Sequence, residues 1–167
     1  MRTCATGIVL CLIIAASIGA APVFQRRAEL PGELQSLASL HELAIVIDHT
    51  IGRVMDEYTL RKRFSAALRR SGFKVVEGTA PPRVALQYIV TTEPDMPGVI
   101  GLTTILAVHQ GVTLRRLEKD LTVPVASLVH ATLCREKDLD ATMEREIQTA
   151  TDRLADYVKQ ASKHRSK

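Results

Sequence analysis

The chain has 167 residues, 46% hydrophobic, 24% charged and 4% aromatic, and a formal net charge of +4 at pH 7. That is one domain's worth of sequence with enough apolar residues to bury a core, which excludes a disordered tail and a repeat array. Mean hydropathy lies just above zero, because a disproportionate share of the apolar residues sits in the first two dozen positions.

Those positions hold one charge, Arg2, followed by an uncharged apolar run from Gly7 to Ala21 that closes on small residues. The run is shorter than the roughly 20 residues a spanning helix needs and has the length of a secretory h-region, so residues 1–21 are expected to be an export signal. The alternative is an uncleaved inner-membrane anchor extending to Phe24, with Arg26 and Arg27 at its far end. Cys4 and Cys11 fall in this segment, and neither follows the apolar run as a lipidated cysteine should. Without the signal one thiol remains, Cys134, and no internal disulfide can form. The expected location is a bacterial periplasm or the secreted space.

Residues 22–41 read as a linker broken by Pro31-Gly32, or a linker ending in a short helix through Leu34, Leu37 and Leu40. Residues 42–163 read as a single α+β domain. It opens with Leu43 to Asp48, rich in β-branched residues and too short for a helix, hence a buried strand. From Asp56 to Ser71 the period changes to 3.6, with Leu60, Phe64, Ala67 and Leu68 on one face and Gly72 where a helix ends left-handed. A short strand follows at Phe73 to Glu77, and Gly78 to Pro82 is a stop. Arg83 to Thr92 alternates as a strand with one buried face. Val99 to His109 is a second long strand, and Gln110-Gly111 signals a hairpin or a bulge before Val112 to Arg116. The last strand is Leu121 to Cys134, in which Pro124 marks a sheet edge or an irregularity. A long helix opens at Asp138 or Asp140 with Met143, Ile147, Ala150, Leu154, Tyr157 or Val158, and Ala161 recurring every three or four residues, and residues 164–167 form a basic tail. The order β-α-(β)-β-β-β-α, with two one-striped helices, predicts a two-layer sandwich of mostly antiparallel sheet covered by two helices.

Catalytic and metal motifs are missing. The histidines 41, 49, 109, 130 and 164 form no His-x-His or His-x-x-x-His pattern and no cysteine pair exists, so no metal site and no cofactor are expected. Asp48-His49, with Asp56 and Glu57 nearby, is the densest acid–imidazole grouping, and the alternative reading of a small exported hydrolase or metal-binding enzyme rests on it. His109 and His130 lie on neighbouring predicted strands and could face each other. No Gly-x-Ser-x-Gly frame or glycine-rich phosphate loop occurs.

What stands out is charge. Arg53, Arg61, Lys62, Arg63, Arg69, Arg70 and Lys74 crowd the first helix and its flanks against only Asp56 and Glu57, forming a candidate binding surface. Acidic residues of the last helix, among them Glu144, Glu146, Asp152 and Asp156, oppose it. With export, nucleic acid is not the expected partner; an envelope protein or an anionic lipid surface is. The exposed strand edge near Pro124 is a second candidate contact.

The helix segment Leu60-Arg-Lys-Arg-Phe-Ser-Ala-Ala-Leu-Arg-Arg with Ser71-Gly72-Phe73 and Lys74-Val-Val76, after an initial strand, resembles small bacterial envelope α+β domains: the lipopolysaccharide-assembly lipoprotein type and the amino-terminal domain of the Tol propeller protein. The resemblance covers residues 43–162 in architecture and implies a non-enzymatic accessory or binding component of an envelope assembly or transport system. The chain lacks the lipoprotein type's lipobox, and no functional residues carry over.

Overall fold

A computed structural model of the chain describes residues 32–48, 55–92 and 94–165. The segments read as export signal, together with His49 and Arg53, lie outside the described residues.

The described chain begins with a one-turn helix, α1 (Gly32–Gln35). Leu37 and Leu40, in the segment expected to be a linker, are buried in the main core, so the folded unit takes in this stretch. Strand β1 (Glu42–Ile47) follows, as its β-branched run requires. Helix α2 (Glu57–Arg70) starts where the Asp56 carboxylate accepts a hydrogen bond from the Thr59 backbone N–H at 2.9 Å, an N-cap. It ends in a Schellman turn: Phe73 N–H donates to Leu68 O, Gly72 N–H to Arg69 O, and Gly72 sits at φ +94°. Phe73 and Leu68 are both buried, which gives the turn its apolar contact and aims the chain into β2 (Lys74–Val76).

Three long strands complete the sheet: β3 (Arg83–Thr92), β4 (Val99–Leu114) and β5 (Lys119–Arg135). A 3-10 turn at Glu136–Asp138 leads into α3 (Leu139–Arg165). The sheet order is β2-β1-β3-β4-β5. Strands β2 and β3 both run parallel to β1, whereas the longer β3–β4 and β4–β5 ladders are antiparallel. The sandwich therefore has an antiparallel half and a short parallel half, the latter because α2 crosses over the sheet between β1 and β2.

Both helices cover one face. Helix α2 packs on β1 and β2, α3 on β4 and β5, and the helices touch each other. Val84, Leu86, Tyr88, Leu102 and Leu106 from the sheet meet Phe64, Met143, Ile147 and Leu154 from the helices, all at 1% exposure or less. Over the opposite face no described element lies, and along its β5 margin Val129 and Leu133 are 63% and 70% exposed.

Two details differ from the sequence reading. Gln110-Gly111 is neither hairpin nor bulge: β4 runs through it, and the hairpin closes at Arg115–Glu118. The irregularity falls one step earlier, between Val108 and His109, whose partners are Ala126 and Pro124, so that Val125 is the extra residue of a bulge. Pro124 has no N–H to donate, and it sits at this break on an edge strand, where that loss is tolerated.

Candidate binding surface

Arg61 donates to Ile45 O at 3.1 Å and lies 3.4 Å from Glu57, tying α2 to β1. Arg63 pairs with Glu144 of α3 at 3.5 Å, and Lys74 with Glu42 at 2.7 Å across the β1–β2 pair. Arg70 is one of the cationic groups that help hold the Asp152 carboxyl below the ordinary carboxylate value, the largest cause being a hydrogen bond from the Ser71 hydroxyl at 2.7 Å. The opposition of a basic first helix and an acidic last helix is thus partly a set of contacts within the helix layer.

Lys62 and Arg69 differ. Both are exposed and, among the described residues, make no ion pair. With 100° per residue they share the face directly opposite the buried stripe of Leu60, Phe64, Ala67 and Leu68. Tyr58, one turn before Lys62, lies on that face with 76% of its surface exposed. Sequence reasoning assigned the tyrosine no role, although its position four residues before Lys62 on the polar face was the available signal.

The other candidates resolve into structural roles or separate positions. Asp48 is exposed just beyond β1, and its backbone N–H donates to Leu86 O at 3.0 Å, which extends the β1–β3 pairing. Its supposed partner His49 is outside the described residues. His109 and His130 do not meet: His109 opposes Pro124 and His130 opposes Thr104, on opposite faces of the sheet. His130 turns under α3, with Nδ1 2.5 Å from Oε2 of Glu146, whose side chain is only 7% exposed. Beside this pair Tyr88 donates its hydroxyl to Met143 O at 3.1 Å, and burial, with the Glu146 charge adding to it, raises the phenol's pKa well above its ordinary value. Among the described residues no group of three or more His, Cys, Asp or Glu side chains could hold a metal ion.

A groove of about 370 Å³ lies between the end of α2 and the carboxyl-terminal half of α3, floored by Leu40, Phe73 and Val158. No described helix is long and apolar enough to cross a membrane.

No protein-family model matches the chain, and no curated protein matches its sequence. Solved structures similar in layout include a minor lipoprotein from Acinetobacter baumannii, at 14% identity and a TM-score of 0.37 over 77% of this chain and 95% of that one. Another is a PelC dodecamer from Paraburkholderia phytofirmans, at 13% identity and a TM-score of 0.43 over 70% of this chain and 90% of that one. At these values the function has to be argued from the chain's own residues.

Proposed function

We propose that the chain is an exported, non-enzymatic protein of the bacterial cell envelope that works by binding, and that the outer face of α2 holds an acidic envelope partner protein. The observation that carries this reading is the set Tyr58, Lys62 and Arg69. They form an exposed stripe on a helix whose other cations are mostly engaged within the fold. Tyrosine and arginine are the residues interfaces favour, because they bring contact area and directional hydrogen bonds at modest entropic cost. Export is supported by the apolar run from Gly7 to Ala21.

Affinity capture from envelope fractions tests it, comparing the native chain with Lys62→Glu/Arg69→Glu. The native chain retains a defined acidic partner and the double reversal loses it, with the unfolding midpoint unchanged. Equal capture by both removes α2 as the contact. A turnover activity abolished by His130→Ala or Asp48→Ala in a folded protein replaces the binding reading with an enzymatic one.

A further inference from the structure

The β4–β5 hairpin carries a second surface, independent of α2. Pairing of β3 with β4 stops at Arg83 opposite His109, so from Gln110 onward β4 has, among the described residues, only β5 as a strand neighbour. This two-stranded end is amphipathic. Val112 opposes Leu121 and Leu114 opposes Lys119 on one face, while Thr113 opposes Asp120 on the other. The Thr113 hydroxyl donates to the Asp120 carboxylate at 2.6 Å, which keeps that acid on the far side from the leucines. Leu114, Leu117 and Leu121 are 39%, 65% and 39% exposed, three large apolar side chains gathered at one end of the molecule. Arg115 and Arg116 occupy the turn between them, and Lys119 lies on the leucine face. The hairpin's base is fastened by Gln110, whose Nε2 donates to Ser36 O at 3.0 Å.

We infer that this tip docks on an anionic lipid surface, its leucines entering the boundary between headgroups and acyl chains and Arg115, Arg116 and Lys119 meeting lipid phosphates. Three leucines on a narrow two-stranded tip offer far less than the roughly 800 Å² per partner of a stable protein interface. On a bilayer each apolar side chain contributes by itself, and each nearby cation adds its own attraction to an anionic surface. Of the two acids at the tip, Asp120 is turned to the other face by Thr113, and Glu118, exposed in the turn, offsets one cation and leaves the tip net positive.

The chain has no tryptophan, so Leu117→Trp in the full chain places a single fluorescent reporter at the tip. The amino-terminal apolar run can bring the chain to any vesicle, so the readout must be local to residue 117. On phosphatidylglycerol vesicles the emission moves to shorter wavelength and is quenched by brominated acyl chains; on phosphatidylcholine vesicles it stays at its aqueous position. Adding Arg115→Glu/Arg116→Glu lowers the fraction of inserted tip at least about tenfold, whereas adding Lys62→Glu/Arg69→Glu leaves it unchanged. Tyr58→Trp, placed on α2 instead, shows no shift on either vesicle. Far-ultraviolet circular dichroism confirms that each variant is folded. An unshifted emission on phosphatidylglycerol overturns the inference and leaves a protein as the tip's occupant. So does an equal shift on phosphatidylcholine, or a shift that survives reversal of both arginines.

Discussion

His130 on β5 and Glu146 on α3 meet Nδ1 to Oε2 at 2.5 Å, joining the edge strand to the helix that covers it. The carboxylate is buried and the imidazole half-exposed, so the histidine supplies the hydrogen bond that water cannot. His130→Ala should destabilise the fold by about 1–3 kcal/mol, because Glu146 stays buried with its acceptor unmet. His130→Ala/Glu146→Leu should recover most of that loss. Urea unfolding of the two single variants and the double one measures the coupling; a coupling near zero would mean the pair does not form in solution.

Ser71 and Asp152 link α2 to α3 in a way that titrates. The Ser71 hydroxyl, then the Gln148 amide at 2.9 Å, hold the Asp152 carboxyl below its ordinary value. A depressed folded-state value means that the contact stabilises fully above the unfolded value of about 3.9 and is lost as pH falls through the folded value. Ser71→Ala should therefore be less stable than the native chain near neutrality, with the difference vanishing in strong acid. Its Asp152 carboxyl should titrate at higher pH by NMR.

Arg61 and Lys62 are adjacent in sequence yet opposite in role. Arg61→Glu removes the hydrogen bond to Ile45 O and sets two acids together with Glu57, and should cost about 1 kcal/mol. Lys62 is exposed and makes no ion pair among the described residues, so Lys62→Glu should stay within about 0.5 kcal/mol. Chemical denaturation of the two variants separates a structural cation from one available to a partner.

The Asp56 cap is a fourth test. Its carboxyl is held below the ordinary value by the Thr59 backbone N–H. Asp56→Ala should lower the thermal midpoint while Asp56→Asn, which can also cap, keeps most of it. The margin of the native chain over Asp56→Asn should disappear in acid, where the protonated aspartate caps, like asparagine, as a neutral acceptor.

Phe64 fills the space between α2 and the sheet at 0% exposure. Phe64→Ala should cost about 3–5 kcal/mol, enough to leave much of a marginally stable domain unfolded at 37 °C, as a thermal melt would show.

Much of the fold was legible because its elements carry their own periodicity. The 3.6-residue stripe through Leu60, Phe64 and Leu68, the Ser71-Gly72-Phe73 stop and the alternation from Arg83 to Thr92 each reflect local geometry, and each lies where it was expected. The α2 stripe was legible only in part. Spacing placed seven cations on or beside a helix, but which of them are engaged depends on Glu42, Glu144 and the Ile45 carbonyl, groups distant in sequence. The Gln110-Gly111 pair misled because a glycine is tolerated inside a strand as well as at a turn. The hairpin instead closes at Arg115–Glu118, where Glu118 takes φ +48° without glycine's help.

By itself, then, the sequence determined the α+β class, the element order and which side of each helix is apolar, since these follow from local preferences and the burial of one stripe per element. Only the tertiary structure decided that β3 lies parallel to β1 and that His130 meets Glu146 instead of His109. It also decided which cations stay free and which leucines end beyond the sheet. Each of these depends on strand order and register, which are set by how two helices and five strands close over one shared core, and no local window of the chain contains that information.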